Sequence, residues 1–147
     1  MKIAFDIGGV LSKFPFEFCC LIDSLAHAGH EIHIISDMHP VEKIVDTIEA
    51  NGFEKLINRE HIHSADYKTH GEACKAVLCR DLGIQMLVDD FGGYLVWPWP
   101  EPAPIRLLVQ PDPYRPYWHA DWVTSDNFDF GRRVYKQDYG RGVARSE

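Results

Sequence analysis

The sequence predicts an α/β domain built on a parallel sheet of about five strands. Short apolar runs alternate along the chain with longer stretches whose apolar residues recur at helical spacing. The connections between these stretches are short, and many contain glycine or proline. This alternation is typical of parallel strands joined by crossover helices that cover both faces of the sheet.

Two strands and two helices are predicted in the first half of the chain: strands at residues 2–5 and 31–35, and helices at residues 15–27 and 40–50. The first strand is an apolar run that the adjacent glycines Gly8 and Gly9 end. Pro15 suits the first turn of the first helix, and Gly29 suits its end. These signals fix the first strand and the helix that follows it.

Three further strands and one helix are predicted beyond them: strands at residues 60–65, 84–88 and 105–109, and a helix at residues 69–82. Gly83 suits the end of that helix. Right-handed crossovers would place the carboxyl ends of all the strands on one edge of the sheet. We therefore expect a single Rossmann-like domain of three layers, with a ligand site at that edge.

A proline-rich stretch at residues 94–104 is predicted to form an extended arm. Its prolines alternate with residues such as Trp97 and Trp99, and alternating prolines exclude a helix or a central strand. We expect the arm to belong to one domain over residues 1–136, because a chain of 147 residues suits a single core. Residues 137–147 are polar and contain glycines, which is typical of a flexible tail.

Composition and charge exclude two classes of function. The net charge of −7 argues against nonspecific nucleic-acid binding, which needs clustered lysine and arginine. No apolar stretch approaches the roughly 20 residues that span a bilayer, so we expect no membrane partner. The four cysteines include no C-x-x-C pair, and the first residues resemble a strand rather than a signal peptide. We therefore expect reduced thiols and a cytoplasmic protein.

Acidic residues and one hydroxyl stand at the ends of the predicted strands. Asp6 comes after the first strand, Ser36 closes the second, and the pair Asp89 and Asp90 comes after the strand at residues 84–88. Two adjacent carboxylates repel each other unless a cation lies nearby, and Mg²⁺ prefers oxygen ligands. We therefore expect these side chains to converge on one edge of the sheet and to hold a divalent cation.

Four parts of the chain carry these residues in a set order: residues 5–11 (FDIGGVL), residues 34–36 (IIS), Lys68 and residues 88–90 (VDD). Together they resemble the four signatures of the haloacid dehalogenase-like superfamily, which is mostly phosphatases and phosphotransferases. The resemblance covers residues 2–90, and the spacing is similar to that of versions with little or no cap domain. It implies that Asp6 is a nucleophile and that the Ser36 hydroxyl binds the transferring phosphoryl group.

The same resemblance implies a Mg²⁺ site with these ligands: Asp6, the Gly8 carbonyl, Asp89 and Asp90. Asp89 is the stronger candidate of the adjacent pair, and Asp90 either binds the ion or supports the other ligands. Lys68 is expected to neutralise the phosphate, because it stands at the entry to the helix that leads to the acidic strand. Lys75 is the alternative, but it is predicted in mid-helix, where a lysine is usually exposed to solvent.

Gly8 departs from the pattern of the superfamily. Phosphatases of the superfamily generally carry a second aspartate two residues after the nucleophile. That aspartate protonates the leaving group and later activates water. Gly8 has no side chain, and general acid–base catalysis typically contributes about 10²- to 10⁴-fold in rate. His39 and His70, from nearby loops, are candidates to supply the proton instead.

The sequence therefore predicts a Mg²⁺-dependent phosphohydrolase that acts on a small phosphorylated substrate, such as a nucleotide or a sugar phosphate, through an aspartyl-phosphate at Asp6. The alternative is a weakly active or inactive domain that binds a phosphorylated ligand or a partner protein. Carbon–halogen hydrolysis needs no Mg²⁺, and the Asp89 and Asp90 pair speaks against it. An open site without a cap suits either a large substrate or a homo-oligomer that closes it.

Overall fold

The structure is a computed structural model that describes residues 1–96, 99 and 101–109. Its strands are β1 (Lys2–Phe5), β2 (Glu31–Ser36), β3 (Ile62–Ser64), β4 (Met86–Asp89) and β5 (Ile105–Leu108). Its helices are α1 (Pro15–His27), α2 (Val41–Ala50), α3 (Tyr67–His70), α4 (Cys74–Leu82) and α5 (Gly92–Val96). The five strands form one sheet in the order β3-β2-β1-β4-β5, and every pair is parallel.

The predicted α/β class with a five-stranded parallel sheet is confirmed, and the arrangement is compatible with a Rossmann-like fold. The bounds of α1 are those predicted, with Pro15 in its first turn. Among the described helices, none is long and apolar enough to cross a membrane. The predicted tail at residues 137–147, and the part of the predicted domain beyond residue 109, lie outside the described residues.

The prediction of one continuous helix over residues 69–82 is wrong. The structure has the short helix α3, then a 3₁₀ turn over Gly71–Ala73, and only then α4. Gly71 has a φ of 58°, a left-handed conformation that glycine adopts readily and that a continuous α-helix cannot contain. The interruption turns α4 relative to α3, and it places Lys75 in the first turn of α4.

The prediction of an extended arm from residue 94 is also wrong at its start. Tyr94 lies in the short helix α5 and is 2% exposed. Its ring packs edge-on against Phe91, with 4.6 Å between the ring centres, and its carbonyl accepts a hydrogen bond from the Trp99 indole at 3.0 Å. Burial of the Tyr94 ring therefore packs α5 against the sheet, before the alternating prolines begin.

The core has two parts, one on each face of the sheet. Side chains of β1 alternate between them, so that Phe5 belongs to one part and Ala4 to the other. The part around Phe5 includes Ile22 of α1 and Ile44 of α2. The part around Ala4 includes Cys79 of α4. The sheet is therefore the middle of three layers, as the sequence predicts.

The strand order reverses between β1 and β4. Successive strands are added on one side from β1 to β3, and β4 then pairs with the opposite side of β1. Ligands of open parallel sheets bind outside the strand carboxyl ends at such a point. The residues that follow β1 and β4 are therefore the first place to look for a functional site.

Candidate active site

Three buried carboxylates meet at the carboxyl edge of β1 and β4, and we call them the carboxylate cluster: Asp6, Asp89 and Asp90. One oxygen of each side chain lies within 4.8 Å of the others. Their exposed fractions are 7%, 0% and 5%, respectively. The structure thus brings together the acidic residues singled out in the sequence. A donor set made only of carboxylate oxygens fits a hard cation such as Mg²⁺.

A buried lysine joins two members of the carboxylate cluster. The Lys75 ammonium donates to Asp6 Oδ1 at 2.8 Å and to Asp89 Oδ2 at 2.5 Å, and the Lys75 side chain is 1% exposed. The ammonium also lies 4.6 Å from the centre of the Tyr94 ring, which is a cation–π contact. Asp89 Oδ1 accepts a further hydrogen bond from the Phe91 amide at 2.8 Å. These contacts fix the orientation of both carboxylates.

The structure corrects the preference for Lys68 over Lys75. Lys68 is exposed on α3, whereas Lys75 makes both carboxylate contacts. A continuous helix over residues 69–82 would put Lys75 near its middle, where a lysine is usually exposed to solvent. Lys75 is instead the second residue of α4. Gly71, which stands inside the helical pattern, was the sequence signal that could have indicated this interruption.

Burial and mutual repulsion shape the electrostatics of the cluster. Burial raises the pKa of Asp6 to about 7, against the lowering effect of Lys75, and the Asp89 charge adds to the rise. Burial likewise raises the pKa of Asp89 to about 6, again against Lys75. Burial alone would lower the pKa of Lys75, but the two carboxylates outweigh it and raise that pKa. Asp6 and Asp89 thus share the Lys75 ammonium and still have raised pKa values, which favours binding of a proton or a cation between them.

The turn after β1 brings the backbone against the cluster. Gly9 has a φ of 72°, and a Cβ atom built on it would lie 2.0 Å from Asp90 Oδ2. Only glycine therefore fits at this position with Asp90 in place. Gly8 differs, since a Cβ atom there would lie 3.9 Å from Asp6 Oδ2. The turn thus leaves room for a side chain beside Asp6, although the sequence supplies none.

The end of β2 adds two residues to the same edge. Ser36 is buried, and its Oγ accepts a hydrogen bond from the Met38 amide at 3.2 Å, so its own proton remains available to donate. Asp37 accepts a hydrogen bond from the Tyr94 hydroxyl at 2.6 Å, and its charge helps to raise the pKa of Asp6. Sequence reasoning missed both Asp37 and Tyr94. Asp37 directly follows a strand, as Asp6 does, and that position was a usable signal.

A cavity of about 410 Å³ adjoins the site through Asp37. Five of the residues that line it are Asp37, His39, Ser64, Tyr67 and Lys68. His39 Nδ1 lies 3.2 Å from the Ser64 hydroxyl oxygen, which orients the ring along the cavity wall. His70, the other candidate proton donor, ends α3 and is exposed. The structure thus places His39 and Lys68 at the cavity and His70 away from its lining.

The arrangement combines an oxygen-rich cation site, an oriented buried carboxylate and an adjoining cavity. Such a set can hold a divalent ion beside a nucleophile and accept a small polar molecule. Comparison of the chain with protein-family models, with curated proteins and with solved structures found no match.

Proposed function

We propose that the protein is a Mg²⁺-dependent phosphohydrolase that cleaves phosphomonoesters through an aspartyl-phosphate at Asp6. The observation that carries this proposal is the carboxylate cluster with Lys75 between Asp6 and Asp89, at the point where the strand order reverses. A minimal domain of the haloacid dehalogenase-like type is the finer fold assignment that this proposal includes. Its substrate would be a small phosphorylated compound, such as a nucleotide or a sugar phosphate.

Asp6 is the nucleophile in this proposal. One of its oxygens attacks phosphorus and forms an acyl phosphate, while the bond from phosphorus to the ester oxygen breaks and the leaving group departs with the electron pair. Water then attacks the acyl phosphate, which releases inorganic phosphate and restores the carboxylate. Lys75 orients Asp6 through their 2.8 Å contact and favours its ionised form against the effect of burial. The Ser36 hydroxyl donates to a phosphate oxygen.

The metal ligands in this proposal are the carboxylate cluster and the Gly8 carbonyl. All the donors are oxygens, and Mg²⁺ usually binds through a few carboxylates and keeps several waters. When bound, the ion supplies positive charge that lets one anion attack another. Asp90 also helps to hold the cluster in position, because its carboxylate packs against Gly9.

The cavity next to Asp37 is the place for the leaving group. His39 lines this cavity and is the residue we propose to protonate the departing oxygen, in place of the side chain that Gly8 lacks. Lys68 lines the same cavity and is exposed, which suits contact with an outer anionic group of the substrate. Because Lys68 is exposed, a substrate that reaches it can extend into solvent.

The direct test is hydrolysis of an aryl phosphate by the chain with Mg²⁺. Aryl phosphates have good leaving groups, so the missing general acid matters least for them. We expect Asp6→Asn to lower the rate by at least about 10³-fold, because loss of a covalent nucleophile costs up to about 10⁶-fold. The matched control is Asp46→Asn on the exposed face of α2, which should keep full activity. Equal rates for Asp6→Asn and the unmodified chain would refute the proposal.

A second candidate function is binding of a phosphorylated ligand without turnover, and Gly8 favours it. Gly8→Asp discriminates between the two. The backbone at Gly8 has φ −65° and ψ 126°, which any residue adopts. There is also room for a Cβ atom at this position. If leaving-group protonation limits an active enzyme, this substitution should raise the rate on an alkyl phosphate by up to about 10²-fold. A chain that binds beryllofluoride but stays inactive with Gly8→Asp would support the binding function.

A further inference from the structure

A second group of metal-binding side chains lies away from the carboxylate cluster, at the amino end of the sheet, and we call it the histidine cluster: Glu31, His33, His61 and His63. Glu31 is the first residue of β2, and His61 immediately precedes β3. Glu31 is 41% exposed and His61 28% exposed, whereas His33 is 4% exposed. The cluster is therefore anchored in the sheet and open to solvent on one side.

Strand pairing assembles this cluster. In the parallel pair of β2 and β3, Ile34 lies beside Ile62 and Ile35 beside His63, so His33 falls in line with His61. The His33 and His61 rings stack with 4.3 Å between their centres, and the His33 and His63 rings with 5.4 Å. Residues about 30 apart in the chain are thus placed side by side by the register of the sheet.

The hydrogen bonds of His61 leave one ring nitrogen with a lone pair directed toward Glu31. His61 Nδ1 lies 3.0 Å from the Ile32 carbonyl oxygen. A carbonyl can only accept, so Nδ1 carries the proton and Nε2 of the neutral ring presents a lone pair. That Nε2 faces Glu31 Oε1 at 3.8 Å, which is too far for a hydrogen bond. Glu31 Oε1 also lies 3.6 Å from the Lys2 ammonium, so this carboxylate already sits among positive and N–H groups, and a metal ion bound to it would displace Lys2.

The spacing of the ligand atoms suits a tetrahedral metal. His33 Nε2 lies 2.7 Å from Glu31 Oε1, and His61 Nε2 lies 3.8 Å from the same oxygen. One ligand atom from each of the three residues lies within 4.8 Å of the others. Bonds of roughly 2.0–2.2 Å to Zn²⁺ at tetrahedral angles separate neighbouring ligands by roughly 3.3 Å, a value between the two observed distances.

We infer that Glu31, His33 and His61 form a binding site for a divalent transition-metal ion of the Zn²⁺ type, with water in the fourth position. Two imidazole nitrogens and one carboxylate oxygen are the ligands that such ions prefer, whereas Mg²⁺ prefers oxygen alone. The site is independent of the carboxylate cluster and of the phosphohydrolase activity proposed for it.

His63 supports the site without binding the ion. His33 Nε2 donates its proton to Glu31 Oε1 at 2.7 Å, and a bound ion would replace that proton. The ring proton would then lie on His33 Nδ1, which is 3.1 Å from His63 Nε2. The Ile32 carbonyl accepts the Nδ1 proton of His61. Metal-binding histidines almost always donate their second ring N–H in this way.

The bound ion would tie the edge of the sheet together. Among the described strands, β3 is at one end of the order and has only three residues. A metal bridging Glu31 and His33 of β2 to His61, next to β3, would add a bond between the two strands. Zn²⁺ should therefore raise the melting temperature of the whole domain, in proportion to its affinity for the folded state.

The test is Zn²⁺ titration of the chelator-treated full chain by calorimetry, with excess Mg²⁺ present to fill the carboxylate cluster. We expect one Zn²⁺ per chain and a rise in melting temperature. His61→Ala and Glu31→Gln should each weaken the affinity for Zn²⁺ at least 10- to 100-fold. Loss of a residue that only hydrogen-bonds to a metal ligand already weakens metal affinity by that much. With Co²⁺, the intense visible bands of a four-coordinate ion should appear and should vanish in His61→Ala.

The matched control is His27→Ala, which removes an exposed histidine whose ring lies 3.4 Å from Asp23 on α1. It should bind Zn²⁺ as the unmodified chain does, because an exposed histidine–aspartate pair alone is not the site. Circular dichroism of each variant checks that the fold is kept, and both cluster substitutions lie at partly exposed side chains. Absence of stoichiometric Zn²⁺ binding, or equal binding by the two cluster variants and the unmodified chain, would overturn the inference.

Discussion

The carboxylate cluster and the histidine cluster lie at opposite ends of the sheet and differ in their electrostatics. In the carboxylate cluster, Asp6 and Asp89 share one buried ammonium, and burial still raises the pKa of both carboxyl groups. The histidine cluster holds one partly exposed acid among imidazoles, and burial lowers the pKa of two of them, His33 and His63. We propose that the first arrangement binds a hard cation through carboxylate oxygens and that the second binds a transition metal through nitrogen lone pairs. One sheet can thus carry two sites that do not compete for the same ion.

The largest expected effect concerns the buried charge of the carboxylate cluster. Lys75→Met should lower the free energy of unfolding by about 3–5 kcal/mol, because it removes the partner of buried carboxylates. Urea unfolding without divalent ions measures this loss. The control is Lys68→Met at an exposed position on α3, which should change stability by no more than about 0.5 kcal/mol. Similar small effects for both variants would show that the cluster is not strained by its charge, and the contrast between the two clusters would fail.

The next effect is the pH dependence of stabilisation by Mg²⁺. The folded-state pKa values of Asp6 and Asp89 lie near 7 and 6, above the ordinary value of 3.8. The folded protein therefore holds protons that the unfolded chain releases, and stability without metal is lost as the pH rises from about 4 to 7. Mg²⁺ must displace these protons.

We therefore expect Mg²⁺ at about 100 times the dissociation constant that it has at pH 8 to stabilise the protein by about 2.7 kcal/mol at pH 8. The same Mg²⁺ concentration should stabilise it by clearly less at pH 5. Thermal melts with and without Mg²⁺ at both pH values measure the difference. An equal gain at the two pH values would mean that the ion binds elsewhere than at Asp6 and Asp89.

The smallest effect tests the packing of the turn against Asp90. Gly9→Ala combines a left-handed backbone with a Cβ atom that would meet the Asp90 side chain, whereas Gly29→Ala has a similar φ of 86° and open space around it. The second variant therefore measures the backbone cost alone. We expect Gly9→Ala to cost about 1–3 kcal/mol more than Gly29→Ala, as measured by chemical denaturation. Equal costs would show that Asp90 can move away, and that it does not support the cluster in a fixed position.

The ease of predicting the two clusters differs for a physical reason. Asp6 and Asp89 stand at strand ends, and parallel strands bring such ends together whatever the details of packing, so the sequence was sufficient to find them. Lys75 and Tyr94 depend on the break at Gly71 and on aromatic packing against Phe91, which hydrophobic periodicity does not reveal. The strands and α1 could be predicted to within two residues, because their apolar runs and flanking glycines are local signals.

The histidine cluster depends on long-range register. His61 and His63 were visible as a pair in the sequence, but their partners Glu31 and His33 lie about 30 residues earlier. A shift of one residue in the pairing of β2 and β3 would turn His33 away from them. Local patterns do not fix this register, so the site emerges only once the strands are paired.

The most direct measurement of the central claim is a crystal structure of the chain with Mg²⁺ and beryllofluoride, which mimics a phosphoryl group. We predict beryllium bonded to a carboxylate oxygen of Asp6, and one Mg²⁺ that contacts both Asp6 and Asp89, with Lys75 still beside them. Beryllofluoride bound away from Asp6, or a Mg²⁺ that contacts neither carboxylate, would contradict it.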